Sequence, residues 1–500
     1  MFEKILVANR GEIALRIIRC CVEMGIPTVA VYSSVDRDSL AVQAADEAVF
    51  IGPPLPLESY LNTDAIIAAA RQTGAEAIHP GYGFLAENPS FARRCEEEGI
   101  VFIGPSSNAL ALVGDKLRAR ETMVSAEVPV IPGMKGAKPD PSVFAAEAER
   151  VGYPVLVKAS AGGGGKGMRI VRSERELKDA VAAAGREARS AFGDETVYLE
   201  KLIVDPRHIE FQVLSDTHGN TVHLFERECS IQRRHQKIVE ETPSVALDPA
   251  LRCRMGETAV EVIRAAEYTN AGTVEFLLDA EGNFYFLEVN ARIQVEHPIT
   301  ELVTGVDLVR QQILIAAGEP IPFRQEDLSQ RGHAIECRIY AEDPVQGFLP
   351  SSGRVLFLRE PSGPGIRHDC GIYQGCEVPV YYDPILSKLI AWGEDRETAR
   401  LRMKRALQEF CILGIQTTIG FLADLMSHPE FIAGHTTTSF IESYMSDWKI
   451  SHTDEVLHLA LAAAAIEAMN AQPSVKQTSD LPTQPTPWQT LGSWSLGAVG

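Results

Sequence analysis

The sequence has no cysteine pattern, no long apolar run and no surplus of positive charge. Its nine cysteines, Cys20, Cys21, Cys95, Cys229, Cys253, Cys337, Cys370, Cys376 and Cys411, include no CxxC pair. They read as reduced thiols of a cytoplasmic protein, not as a disulfide or zinc frame. No stretch reaches the ~18 apolar residues that span a bilayer, and the N-terminus, MFEKILVANRG, starts on a strand with no signal peptide. The 47 lysines and arginines stand against 67 aspartates and glutamates, a formal charge of −20. That balance argues against nucleic acid or an anionic membrane as the main partner, and leaves room for a local basic pocket. Two phosphate fingerprints are also missing. The first strand–helix turn, Asn9-Arg10-Gly11, lacks GxGxxG. In Ser160 to Gly167, SAGGGGKG, a serine stands where a P-loop needs its first glycine, and a glycine where it needs serine or threonine.

What is present is a large soluble-type chain. Its 500 residues, with 45% hydrophobic and 23% charged side chains, support about three domains with ample core. Ile5 to Ala8 is an unbroken apolar run, as in a parallel strand buried on both faces. A helix follows, with Ile13, Ile17, Cys20, Cys21 and Met24 on one face. Strands at Thr28 to Tyr32, near Val49, at Ala77-Ile78 and at Val101 to Ile103 alternate with helices near Asp64 to Arg71 and Phe91 to Glu98. This alternation predicts a doubly wound α/β domain. His79-Pro80-Gly81-Tyr82-Gly83 follows a strand end, where such sheets bind ligands, although a plain glycine turn explains it too.

Residues Thr273 to Glu296, TVEFLLDAEGNFYFLEVNARIQVE, read as two short strands around the turn Ala280-Glu281-Gly282-Asn283. If Asp279 faces Phe284 across that turn, Glu275 faces Glu288. Opposed side chains of an antiparallel pair have Cβ atoms ~5 Å apart, so two carboxylates there repel unless a cation lies between them. Glu288 and Asn290 share a strand face. Two carboxylates and an amide oxygen suit Mg²⁺ or Mn²⁺, and Mg²⁺ usually bridges such groups to phosphates. An edge hairpin with solvated glutamates is the plainer alternative.

Elsewhere, Tyr153 to Lys158 and Met168 to Val171 flank the glycine loop, giving strand, loop, strand. Glycines around Lys166 let backbone N–H groups approach phosphate closely. The segment Arg227 to Lys237, with Arg227, Arg233, Arg234 and Lys237, reads either as an anion-binding lining or as a solvated basic loop. Thr304 to Asp307 looks like a capping box for a helix ending at Gly318. His333 to Tyr340 alternates, placing Ala334, Glu336 and Arg338 on one face, and Val355 to Leu358 and Gly375 to Val380 read as strands. Ala471 to Pro487 is rich in Pro, Gln, Thr and Ser and reads as a mobile tail ahead of Trp488 and Trp494.

The strings ILVANRGEIALR, HPGYGFLAEN, GDK, KASAGGGGKGM, ERECSIQRRHQK and EVNARIQVEHPITE occur in that order. Together they resemble the biotin carboxylase subunit of biotin-dependent acyl-CoA carboxylases, an ATP-grasp family, over Met1 to about Ile450. The resemblance implies an α/β and α+β multidomain fold. Its parts are an N-terminal doubly wound domain at 1–114, an ATP-grasp domain at 115–330 with a mobile glycine-rich lid at about 131–203, and a C-terminal mixed α/β domain at 331–450. A helical segment and flexible tail fill 451–500.

The resemblance also implies roles. Lys116 and Lys158 correspond to nucleotide-phosphate lysines, and Gly163, Gly164 and Gly165 to the lid over the triphosphate. Glu200, Lys201 and Ile203 correspond to the adenine segment, and His208, Gln232 and His235 to positions near ribose and phosphates. Glu275, Glu288 and Asn290 correspond to the Mg²⁺ or Mn²⁺ site, in line with the hairpin register. Lys237, Arg292, Gln294 and Val295 correspond to the bicarbonate pocket, Glu296 to the general base and Arg338 to the arginine facing the biotin ureido oxygen. The implied activity is ATP- and bicarbonate-dependent carboxylation of biotin through carboxyphosphate. Neither Gly133-Met134-Lys135-Gly136 nor Arg402-Met403-Lys404-Arg405 matches the family's Ala-Met-Lys-Met biotin acceptor. The expected partners are therefore a separate biotin carboxyl carrier protein, carboxyltransferase subunits and a second copy of the chain. Acetyl-CoA, another acyl-CoA and pyruvate all remain open as final acceptors. An amine-directed carboxyphosphate ligase is the rival within the same chemistry.

Overall fold

A computed structural model of the chain describes residues 1–134, 140–159, 168–234, 236–450 and 454–470. The expected lid glycines Gly163, Gly164 and Gly165, the expected nucleotide residue His235, and Trp488 and Trp494 lie outside the described residues. Residues 1–449 form one compact unit, and residue 450 begins a second. In the second unit, Asp454–Asn470 is a helix whose side chains are exposed from 458 to 466. No described helix is long and apolar enough to cross a membrane.

Ile5–Val7 lies at the centre of a five-stranded parallel sheet, ordered Glu47–Gly52, Thr28–Ser33, Ile5–Val7, Ala77–His79, Val101–Phe102. Helix Gly11–Glu23 buries Ile13, Ile17, Cys20 and Cys21. Coverage on both faces explains why the strand is apolar without alternation. The strand order reverses beside Ile5–Val7, which opens a crevice at its C-terminal end. Asn9 bridges that crevice, its Nδ2 donating to the carbonyls of Pro80 and Tyr82 at 2.7 Å each. Gly81 has φ +62, and a Cβ there would lie 2.9 Å from Asn9 Nδ2, so the turn admits little but glycine.

The lid is a small three-stranded antiparallel sheet, Arg169–Val171, Val155–Ala159 and Val197–Lys201, backed by helices Pro141–Val151 and Glu174–Phe192. It closes on its own core, which includes Phe144, Val157, Leu177, Val181 and Leu199. A separate core lets such a unit move as a body.

An eight-stranded antiparallel sheet forms the rest of the scaffold. Its order is Phe284–Asn290, Asn270–Leu278, Arg207–Ser215, Thr221–Arg233, Gln236–Thr242, His333–Tyr340, Ile385–Gly393, Ile366–Cys370. The sheet runs unbroken from the hairpin into the C-terminal part, because Gln236–Thr242 pairs with His333–Tyr340. Helix His297–Thr304 packs over the middle strands and the strand Ile385–Gly393.

Several expectations need correction. Thr304 ends one helix instead of opening the next: Gly305 is left-handed at φ 75, and Asp307 caps Leu308–Ala316 by accepting from the Arg310 N–H at 2.8 Å. The signals for the extra helix were Pro298 near its start and Gly305 just past its end. Arg227 to Arg233 is no basic loop; it belongs to the strand Thr221–Arg233, and Arg227 is fully buried. Its guanidinium meets Glu210 Oε1 at 2.6 Å, Gln212 Oε1 at 2.8 Å, Thr300 Oγ1 at 3.0 Å and Thr273 Oγ1 at 3.1 Å, so its charge is already balanced. The strand expected at Val355 to Leu358 splits into Gly353–Arg354 and Phe357–Arg359, each paired with a different partner.

Candidate active site

The hairpin Asn270–Leu278 and Phe284–Asn290 places Glu275 opposite Glu288, and Thr273 opposite Asn290. The register reaches that pairing by a different route from the sequence count. Leu278, not Asp279, faces Phe284. The Asp279 carboxylate belongs to the turn and accepts from the Asn283 N–H at 2.8 Å and the Glu281 N–H at 3.1 Å. A bulge at Leu287, between the pairs Phe276–Phe286 and Glu275–Glu288, then restores the offset. It brings the two carboxylates onto one face.

Glu288 and Asn290 line one side of a cleft of about 240 Å³ between the lid and the main body. Lys116, Lys158, Glu200, Tyr198, Ile131 and Arg120 line it too. Asp115 caps the helix Lys116–Ser125, accepting from the N–H groups of Leu117 and Arg118 at 3.1 Å, which sets Lys116 at the cleft rim. Lys116 Nζ lies 3.6 Å from Glu288 Oε2. Lys158 is paired with Glu200 across adjacent lid strands.

Behind the cleft is a buried charge centre. Lys237 Nζ donates to Glu275 Oε1 at 2.7 Å and to Glu296 Oε1 at 2.8 Å, and also meets Glu210. Arg338 donates from Nη2 to Glu296 Oε2 at 3.0 Å and from Nε to Glu240 Oε1 at 2.6 Å. His208 Nε2 is 3.0 Å from Glu275 Oε2, and its Nδ1 is 2.8 Å from Gln232 Nε2. Glu296 has no exposed surface. Burial pushes its pKa up, but Lys237, Arg338 and Arg227 outweigh that and hold it well below the carboxylate range. Burial acts the same way on Glu275 and is outweighed by Lys237 and His208. Burial disfavours the Lys237 charge, yet Glu210, Glu275 and Glu296 raise it well above the usual lysine value.

Arg292 bridges the centre to the cleft. It meets Glu87 Oε2 at 2.9 Å, Asn290 Oδ1 at 3.0 Å and Gln294 Oε1 at 3.0 Å. Gln294 in turn reaches Glu275 Oε1 at 3.4 Å. Lys201 and Val295 have internal partners. The Lys201 ammonium donates to the carbonyls of Gly152 and Tyr153, at 2.9 and 3.1 Å, and its backbone N–H to the Pro132 carbonyl, at 2.7 Å. The Val295 carbonyl accepts from Lys388 Nζ at 3.0 Å. Ile203, half-buried, follows the strand Val197–Lys201.

A buried carboxylate between two cations, beside a cleft lined with lysines and opposed carboxylates, can pair proton transfer with the binding of a polyanion. The profile described as biotin carboxylase, N-terminal domain, matches residues 1–110. That of the ATP-binding domain of the carbamoyl-phosphate synthase L chain matches 115–324, and that of the biotin carboxylase C-terminal domain 336–443. A biotin carboxylase of Nostoc sp. is 56% identical over 441 residues, 88% of this chain and 99% of the relative. The chain belongs to the biotin carboxylase family. The mitochondrial methylcrotonoyl-CoA carboxylase subunit alpha of Dictyostelium discoideum is 48% identical over 498 residues, 99% of this chain and 70% of the relative. Among solved structures, the biotin carboxylase domain dimer of Hydrogenobacter thermophilus 2-oxoglutarate carboxylase, in complex with MgADP, ADP and bicarbonate, superposes with a TM-score of 0.86. It is 50% identical, over 90% of this chain and all of that one.

Within this biotin carboxylase fold, Glu87 lies in the string HPGYGFLAEN but drew no role from the sequence, and Glu210, Glu240 and Lys388 lie outside the quoted strings. Each is a partner of a motif residue, not a motif residue of its own chemistry. Glu87 alone carried a signal, by its place in that string. The donor set also fits a divalent cation. Glu275 and Glu288 supply hard oxygens from one sheet face, and Asn290 adds an amide oxygen. Lys237 and Lys116 balance the two carboxylates.

Proposed function

We propose that the enzyme carboxylates biotin presented by a carrier domain, using ATP and bicarbonate, as the first half-reaction of an acyl-CoA carboxylase. The observation that carries the chemistry is Glu296, buried and ionised between Lys237 and Arg338. The acyl-CoA assignment is supported by extent. The match to the methylcrotonoyl-CoA carboxylase subunit runs through 99% of the chain, and that to the Nostoc biotin carboxylase through 88%. The homology therefore continues past the catalytic unit in the acyl-CoA relative.

Nucleotide enters the cleft, with Lys116 and Lys158 turning from Glu288 and Glu200 to its phosphates. Glu275, Glu288 and Asn290 would hold Mg²⁺ or Mn²⁺, which supplies charge neutralisation at the transferring phosphoryl group. Bicarbonate binds against Lys237 and Arg292. A base held this far below its ordinary pKa is a weak one. As the anion draws Lys237 away, Glu296 regains proton affinity where the proton arrives. Glu296 takes the bicarbonate proton, the bicarbonate oxygen attacks the γ-phosphorus, and ADP leaves. The resulting carboxyphosphate breaks to CO₂ and phosphate. The phosphate takes the biotin N1′ proton, Arg338 stabilises the ureido oxygen, and N1′ attacks CO₂. Closure of the lid, as a unit with its own core, keeps water from the labile intermediate. As in the dimeric relative, two copies of the chain form the working assembly.

ADP release by the purified chain with Mg²⁺ and bicarbonate, with and without free biotin, tests the first half-reaction. Biotin stimulation supports it. Stimulation by an amine instead would replace it with amine carboxylation. Reconstitution with carrier and carboxyltransferase, offering acyl-CoAs and pyruvate in parallel, tests the acceptor, and pyruvate preference would overturn the acyl-CoA assignment.

A further inference from the structure

Arg338 reaches the base from a strand that carries a second buried acid. Glu336, two residues before Arg338, and Glu240, on the neighbouring strand Gln236–Thr242, are register partners. Both have 0% exposure. Glu240 Oε1 accepts from Arg338 Nε at 2.6 Å. Among the described residues, Glu240 Oε2 and both oxygens of Glu336 have no hydrogen-bond partner. Directly opposed like charges destabilise a sheet, and an ionised carboxylate without donors is costly to bury.

The groups facing this pair can be named from each packed element. Arg338 and Tyr340 share the Glu336 strand, and Lys237 the Glu240 strand. Lys388 lies on Ile385–Gly393 and Cys229 on Thr221–Arg233. Glu296 and His297 stand at the head of the helix His297–Thr304, and Glu301 of that helix is engaged by Arg16 and Arg367. The sum is unequal. Burial pushes Glu240 up, to about 7, against the pull of Arg338. Burial pushes Glu336 well above the carboxylate range, and Lys388 only partly offsets it. The pair titrates as a unit and keeps one proton at neutral pH, resting on the member without a guanidinium.

We propose that Glu240 is the positioning residue for Arg338, and that a protonated Glu336 opposite it keeps Glu240 charged. Arg338 is divided between Glu240 and the base Glu296. While Glu240 is ionised, the guanidinium is anchored by Nε and its Nη2 edge is shared between Glu296 and the incoming biotin oxygen. When Glu240 takes a proton, Arg338 has only Glu296 to pair with. The base is then masked and the ureido oxygen loses its stabilising cation. A buried acid pair that never touches substrate thus sets the acid limit of the reaction. This rests on the carboxylase reading given above.

The test is the pH profile of bicarbonate- and biotin-dependent ADP release, from about pH 6 to 9, for wild type, Glu336→Gln and Glu240→Gln. In wild type the rate falls toward acid as the pair takes its second proton. Glu336→Gln is neutral, as the protonated acid is, so its acid limb stays within about half a unit of wild type, whereas loss of an ionised Glu336 would move the limb to lower pH. Glu240→Gln lowers kcat about tenfold or more, raises KM for biotin and removes this limb. An acid limb absent from wild type, a limb that moves to lower pH by about one unit or more in Glu336→Gln, or a Glu240→Gln enzyme with wild-type kcat and KM would overturn the proposal. If a variant fails to fold, infrared spectroscopy of the wild type decides: a protonated carboxyl band persists at about pH 8, and its absence refutes the pair. A wild type without biotin-stimulated turnover would sink the carboxylase reading, while the infrared band would still report on the pair.

Discussion

At the cleft, Lys116 and Glu288 have side chains 40% and 39% exposed and stand 3.6 Å apart. Behind it, Lys237 touches three carboxylates, and Glu210 and Glu296 among them have no exposed surface. The residue types are the same and the physics differs. An exposed pair at such a distance is worth little, because water screens it and both side chains keep their freedom. Charges out of water interact several times more strongly and are costly to leave unpaired. The cleft can therefore exchange its internal partners for phosphates at small cost. The centre is set before substrate arrives, and its cations hold Glu296 ionised until one of them is drawn away.

Removing Glu296, the proposed base, is the sharpest way to break that contrast. Glu296→Gln is expected to lower bicarbonate-dependent ADP release by ~10²–10⁴-fold, with nucleotide affinity changed less than about threefold. Comparable loss of ADP binding, measured by calorimetry, would show that the two regions are not separable. Next comes Lys237→Met. It leaves Glu210, Glu275 and Glu296 facing one another without their shared cation. Unfolding in urea should show a loss of about 3–5 kcal/mol, unless the carboxylates take up protons, in which case stability recovers toward acid.

A third test uses a buried acid whose partners are His333 and Arg396. Glu241 is held down to about 2: burial opposes its ionisation, but His333 at 2.8 Å and Arg396 at 2.7 Å outweigh that. Its folded pKa is depressed, so its stabilising contribution is present above the ordinary carboxylate value and fades as pH falls toward about 2. Arg396→Gln should narrow the gap in thermal midpoint between about pH 6 and 3, without changing turnover at neutral pH. An unchanged gap would remove Glu241 from the acid sensitivity.

How much of this was legible in the sequence follows the same division. The parallel domain was legible because Ile5–Val7 is apolar on both faces and its turns carry glycine. The opposed pair Glu275 and Glu288 came out of counting along the hairpin, though only because the turn at Asp279 and the bulge at Leu287 cancel. Such offsets leave no mark in strand periodicity. The partners of Lys237 and Arg338 were not legible for another reason. Glu210 and Glu240 meet them across strands of one sheet, over separations that no local spacing encodes. Arg227 misled for the opposite reason: in a run of basic residues, its burial depends on Glu210, Gln212, Thr273 and Thr300, contributed by other elements.

The smallest effect belongs to the cleft, and it discriminates best. Lys116→Gln removes a half-exposed ammonium whose described partner, Glu288, is equally open to water. Stability should change by less than about 0.5 kcal/mol, since such pairs contribute little and solvent takes over the free carboxylate. The same substitution should raise KM for ATP by about tenfold with kcat nearly preserved, because one phosphate contact is lost equally from ground and transition states. Salt should mimic it. Raising ionic strength shortens the screening length to a few ångströms, so nucleotide affinity should fall while the pH profile set behind the cleft stays in place. If Lys116→Gln instead cost stability on the scale of Lys237→Met, the cleft would depend on its internal pairs as strongly as the centre does. Nucleotide binding would then have to displace a structural ion pair instead of a solvated one.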